Sequence, residues 1–285
     1  MKGFAPIWWE APENSSFYNT YCDLRTTTSM TTELQTERQG QTLVMTLSGP
    51  ANRNALSPQV YAAGIETLNM AESNPDVRAV VLTGSGDHFC AGGDLQRLAH
   101  NRQHDLQAQG GNLDAFHQWI EALRSFPKPV IAAVEGVAAG GGVSLALACD
   151  LFVASESARF VMAYGKVALS PDGGASWHLN KLLGRSRALA CLWLGEQQSA
   201  QQWQSLGLVH KLVQAGSALT QACALADQLA QVAPQVLASV KELVNEADQP
   251  LRAHLDAEKR HFLVNLSHPD AGHAIDGFLQ GKSRP

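Results

Sequence analysis

Lys128-Pro-Val-Ile-Ala-Ala-Val-Glu-Gly-Val-Ala-Ala-Gly-Gly-Gly142 is the stretch on which the reading of this chain turns. Val130–Val134 is an unbroken apolar run of strand length, set between Pro129 and Gly136. A run without polar alternation fits a strand covered on both faces. The glycines come next, and Val143–Cys149 reads as a short apolar helix. A helix that starts on a glycine turn leaves unpaired backbone N–H groups there, with about half a positive charge. Glycine also removes the Cβ that would hold a ligand away from them.

A second stretch has the same build. Arg78-Ala-Val-Val-Leu-Thr83 is another apolar strand, Gly84–Asp87 a turn, and Phe89-Cys-Ala-Gly-Gly-Asp94 a second glycine-rich connection. Taken singly, each is a tight link between elements. Taken together, they offer two N–H groups that could meet at one oxygen, an oxyanion hole in which loss of one donor costs about 10²–10³ in rate. Neither reads G-x-G-x-x-G, which argues against a dinucleotide site.

Outward from these stretches, Thr42–Ser48 reads as a strand ended by Gly49-Pro50, and Ser57 caps an amphipathic helix carrying Val60, Ile65, Leu68 and Met70. Leu113–Phe126 has helical period, with Phe116, Ile120 and Leu123 on one side, whereas His100–Asn112 reads as a variable wall. Leu151–Ala154 and Arg159–Met162 are strand-like, and helix resumes from Gly173. From Ser199 the pattern is nearly all helical, with Val209–Leu212 the strand candidate. Strands alternating with helices give an α/β body at 30–198, followed by a helical region at 199–285. Residues 1–29, rich in Ser, Thr, Asn and aromatics without periodicity, read as an N-terminal extension.

The 285 residues, 45% hydrophobic and 16% charged, suffice for one sizeable core. A net charge of −5 gives no reason to expect nucleic acid or an anionic membrane as partner. No run of about 18 apolar residues suggests a membrane span. Five scattered cysteines without C-x-x-C spacing argue against a disulfide framework and a zinc site. The expectation is a cytoplasmic protein without metal.

The chain resembles the enoyl-CoA hydratase/isomerase family, or crotonase superfamily, over roughly residues 33–284. The resemblance is carried by Asn52-Arg-Asn-Ala-Leu-Ser57, Phe89–Asp94, Lys128–Gly142, Ala148-Cys-Asp150 and Ser170-Pro-Asp-Gly-Gly174, in that order and spacing. It implies a spiral of ββα units closed by C-terminal helices, assembled as a homotrimer or dimer of trimers. It implies an acyl-CoA thioester as substrate, with coenzyme A arriving on the substrate and no further cofactor. It assigns the oxyanion donors to the Gly93 and Gly141 N–H groups. Arg53, Asn54, Ala55 and Leu56 would wrap the CoA, with Ala91, Asp94, Gly140, Ser144 and Tyr164 completing the substrate site.

The family's shared oxyanion hole leaves the reaction to the acid/base groups. A family hydratase holds its water between two glutamates, and at those positions this chain has Ser144 and Tyr164. Neither replaces a carboxylate base near neutral pH. One carboxylate does match a position that does chemistry in the family: Asp172. The expected activity is therefore that of an isomerase with a single Asp acid/base. The alternatives are a hydratase or a ring-opening hydrolase in which Asp172 activates water. The bland reading of Asp172 is a cap for the helix that follows it, which need not exclude catalysis. Asp94, Glu135 and Asp150 read as framework residues that bond backbone amides, and His88 and His178 as surface or packing residues. An RNA-binding role on this fold is disfavoured, because the helix at 57–74 contains no Lys or Arg.

Overall fold

A computed structural model describes residues 31–281; the expected extension at 1–29 lies outside the described residues. Among the described residues, ten strands form two sheets. The larger has the order β1 (Glu33–Gln39), β2 (Thr42–Ser48), β3 (Ala79–Gly84), β5 (Val130–Val134), β7 (Leu151–Ser155), β10 (Lys211–Val213). The smaller has the order β4 (His88–Cys90), β6 (Val137–Ala139), β8 (Arg159–Val161), β9 (Gln197–Ser199). β1 and β2 are an antiparallel hairpin, and from β2 to β10 the large sheet is parallel.

The chain climbs this pair of sheets as a spiral. Each turn gives one strand to the large sheet, one to the small sheet, and then a helix. β3 and β4 are followed by α2 (Leu95–His104) and α3 (Leu106–Ser125), β5 and β6 by α4 (Gly141–Leu147), and β7 and β8 by α5 (Ala175–Leu183). This is the crotonase architecture expected from the resemblance.

Side-chain alternation shows why the central strands of the large sheet, β3 and β5, are almost wholly apolar. On β3, Val80 and Leu82 enter the main core while Ala79 and Val81 enter a second one. β5 divides likewise, with Val130, Ala132 and Val134 on one face and Ile131 and Ala133 on the other. The second core is closed by α8 (Ala218–Leu229), which presents Ala218, Ala222 and Ala226. Spacing of four puts these small residues on one stripe and lets the helix lie close to the sheet.

Several expected boundaries shift. The helix read from Leu113 starts at Leu106 and α2 precedes it, so most of the stretch read as a variable wall is helical. The boundary expected at 198/199 falls inside β9, and β10 and α8 complete the sheet layers. After them come α9 (Pro234–Asn245), α10 (Leu251–Ser267) and α11 (Pro269–Leu279), whose outer faces expose Phe262, Leu263, Val264 and Phe278. The Lys241–Asp150 ion pair at 2.8 Å ties α9 to the body; Asp150 also accepts the Val130 N–H. Among the described residues no helix is long and apolar enough to cross a membrane.

Candidate active site

The two glycine turns meet. Leu56 N–H donates to the Gly92 carbonyl at 2.8 Å, and Ala91 N–H to the Arg53 carbonyl at 3.0 Å, so residues 53–56 run along the first turn. A methyl on Gly92, whose φ is +87°, would lie 2.6 Å from the Ala139 carbonyl oxygen and 3.1 Å from Gly141 N. A methyl on Gly142 would lie 2.4 Å from the Cys90 carbonyl oxygen. Bare backbone is thus required on both sides for the turns to touch. Gly140 N–H is used by the Val161 carbonyl, while the N–H groups of Gly93 and Gly141 have no acceptor among the described residues. Gly141 opens α4, so its N–H is one of the unpaired helix N-terminal donors.

Asp172 stands beside that helix start. Its Oδ1 is 3.5 Å from where a Cβ on Gly141 would sit, and the Leu56 and Phe116 side chains bound the same space. Tyr164 O–H donates to Asp172 Oδ1 at 2.6 Å. Ser144 Oγ donates to the Asp172 main-chain carbonyl at 2.9 Å and lies 3.1 Å from the Tyr164 hydroxyl. Burial pushes the Asp172 carboxyl above its ordinary value, against the opposing pull of the Tyr164 hydrogen bond and of His117. Burial, with the Asp172 charge beside it, holds the Tyr164 phenol well above its usual pKa, so it keeps its proton. The result is one carboxylate in a largely apolar wall, half-buried and proton-hungry.

Asp172 does not cap a helix with its side chain. Gly174 is the cap residue of α5 and no side chain caps it; the Asp172 carbonyl accepts the Ala175 N–H instead. Asn54 is also put to another use than the expected ligand contact. It is fully buried, accepts the Gly49 N–H, and donates to the Ser85 and His88 carbonyls, bracing the turn that leads into β4. Ser144 is fully buried behind Tyr164, so its hydroxyl serves Asp172 and Tyr164 and not a ligand directly. Ala55 and Leu56 are buried, whereas Arg53, Ala91 and Gly140 are half-exposed around the turns. Asp94 caps α2 through the Gln96 and Arg97 N–H groups, and Glu135 accepts the Ala218 N–H. His178 is buried against the Gly174 carbonyl, and burial lowers it to about 4.

Three residues near the acid were not singled out as site residues from the sequence. Tyr61 on α1 (Pro58–Ser73) packs on Phe116 with ring centres 5.1 Å apart, and the Asp172 charge reaches its hydroxyl. Phe116 on α3 borders the space by Gly141 and Gly173, and the charge of the adjacent His117 reaches the acid. Tyr61 follows Val60 on the buried face of α1, so its helical position marks it as core and gives no sign of the site.

Residues 37–283 match the model of the enoyl-CoA hydratase/isomerase family. The chain belongs to that family. It is an acyl-CoA enzyme of the crotonase fold. It is 34% identical over 243 residues to the 1,2-epoxyphenylacetyl-CoA isomerase of Escherichia coli, covering 85% of this chain and 93% of that protein. It is also 34% identical over 252 residues to the 2,3-dehydroadipyl-CoA hydratase of the same organism, covering 88% and 97%. A crystal structure of an enoyl-CoA hydratase from Polaromonas sp. JS666 superposes with a TM-score of 0.87 at 51% identity, covering 89% of this chain and 99% of that one.

Proposed function

We propose that this family member is an enoyl-CoA-type isomerase in which Asp172 alone moves the proton. The observation that carries the reading is the pairing of one raised-pKa carboxylate with Gly141, while hydroxyls stand at both positions where a family hydratase holds glutamates. In this reading the Gly93 and Gly141 N–H groups bind the thioester oxygen. Asp172 takes a proton from the carbon next to the thioester carbonyl, and the electron pair moves onto the oxygen as an enolate conjugated with the double bond. The protonated Asp172 then gives the proton to the far end of the conjugated system. The double bond shifts and no atom is gained or lost. The two N–H dipoles stabilise charge where it develops, and a carboxylate with a raised proton affinity is a stronger base than one in water.

The CoA portion would pass Arg53 to Leu56 and the rim made by Ala91 and Gly140, and the exposed apolar faces of α10 and α11 would join copies into a trimer. Similarity to the epoxyphenylacetyl-CoA isomerase supports a ring-derived acyl group. Similarity to the dehydroadipyl-CoA hydratase supports a second reading, in which Asp172 activates water. Turnover of 3-enoyl, 2-enoyl and ring-derived CoA thioesters in ¹⁸O-water separates the two. Isomerisation returns product of unchanged mass, and incorporation of the heavy oxygen would exclude it.

A further inference from the structure

We propose that Tyr164 is a positioning residue for the reaction: its hydroxyl holds the Asp172 carboxylate, through Oδ1, in place beside the helix start that carries the Gly141 N–H. The proposal rests on the reading of Asp172 as the acid/base.

Asp172 is held at two points, and both holds start from the positions that carry glutamates in a hydratase. Ser144 fixes its main chain and Tyr164 its side chain. The Tyr164–Asp172 contact of 2.6 Å has the length of a charge-assisted O–H···O⁻ bond. The Tyr164 ring itself is buried and ends beside the glycine turn, 3.8 Å from where a Cβ on Gly140 would be. It therefore fills space near the oxyanion donors.

The proton count shows how this arrangement serves a group that changes charge. Three contacts link Asp172, Tyr164 and Ser144 in a ring: Tyr164 to Oδ1, Tyr164 to Ser144, and Ser144 to the Asp172 carbonyl. With Asp172 ionised, the two hydroxyl protons satisfy two of the three. Tyr164 must then donate to the carboxylate, since the carboxylate has no proton to give. Because the phenol keeps its proton, Tyr164 orients the acid without competing for the substrate's proton. Among the described residues, the other titratable groups facing Asp172 are His117 from α3 and Tyr61 from α1. Neither is hydrogen-bonded to the carboxylate.

The test compares the wild type with Tyr164→Phe and Asp172→Asn, measuring kcat and KM across the acid and neutral range. Tyr164→Phe removes one oxygen and keeps the ring. We expect kcat to fall about 10- to 100-fold, the effect of losing one hydrogen bond to a charged group, with KM within about twofold, as for an interaction that does not bind the substrate. The acid limb of the kcat/KM profile should move to higher pH, since a bond that favours the carboxylate is gone. His117 and Tyr61 are present in both proteins, so the displacement belongs to Tyr164. Tyr164→3-fluorotyrosine, a stronger donor on the same ring, should move the limb the opposite way. An inactive Asp172→Asn beside a Tyr164→Phe whose limb and kcat are unmoved, or whose KM alone rises, overturns the positioning role and leaves the acid/base reading standing. An active Asp172→Asn overturns both.

Discussion

Asp172 carries its functional cost in its proton affinity. Its folded-state pKa lies above the unfolded value because burial outweighs the Tyr164 hydrogen bond and His117. The native chain therefore binds this proton more tightly than the unfolded chain. Stability is lost as pH rises from the ordinary carboxylate range through the folded pKa, and the loss persists at neutral pH. Asp172→Asn should thus raise the unfolding temperature at pH 7 while removing about 10²–10⁴ of turnover, the usual share of a general acid/base. Calorimetry and steady-state kinetics on one preparation check both signs. The resemblance pointed to this residue from Ser170-Pro-Asp-Gly-Gly174. Its hydrogen-bonding partners were not legible, because nothing in the spacing of Ser144, Tyr164 and Asp172 tells that their hydroxyls and carboxylate converge. The bracing role of the Asn54 side chain was hidden for a related reason: an exposed loop Asn and a buried bracing Asn look alike until the surrounding turns are known.

Length and burial together decided which elements were legible. Strands of five to seven residues with mostly buried side chains, such as β2 and β5, show in the sequence as apolar runs. β4 and β6 have three residues each and disappear into the glycine motifs that follow or contain them. Too few positions are present for a period of two to register. β1 was missed because it is an exposed, polar hairpin strand that borrows its order from β2. Gly110-Gly111 masks the helical period at the start of α3, and exposed positions there add no apolar stripe. The packing of α1 on α3 depends on Gly64, where a methyl would come 2.3 Å from the Trp119 indole. Gly64→Ala should destabilise the protein by about 1–3 kcal/mol through overpacking. Because α1 and α3 also bring Tyr61 and Phe116 to the acid, turnover should fall along with the midpoint of urea unfolding. An unchanged midpoint would show that the helices can separate freely.

At the scale of the molecule, the spiral brings the glycine turns at 89–94 and 136–142 to one place. This is why two stretches some fifty residues apart in sequence share one site. The Lys241–Asp150 pair links the C-terminal helices to that body, with both side chains largely out of water. Lys241→Met leaves the Asp150 carboxylate without its cation, and burial already raises this group's pKa. A loss of about 1–3 kcal/mol in unfolding free energy is expected, below the full range for a deeply buried pair because both groups keep some exposure. The apolar faces of α10 and α11 are the surface proposed to join copies. Phe262→Glu, at a residue 66% exposed in the single chain, should lower the mass measured by light scattering to that of a monomer. The same mass as the wild type would place the contact elsewhere.

Exchange of the α-protons of a saturated acyl-CoA in deuterated water, followed by proton NMR, reports proton removal next to the thioester without any double bond to move. The wild type should catalyse this exchange, and Asp172→Asn should lose it by about 10² or more while binding the same thioester. Equal exchange by the two proteins would contradict the assignment of the acid/base to Asp172.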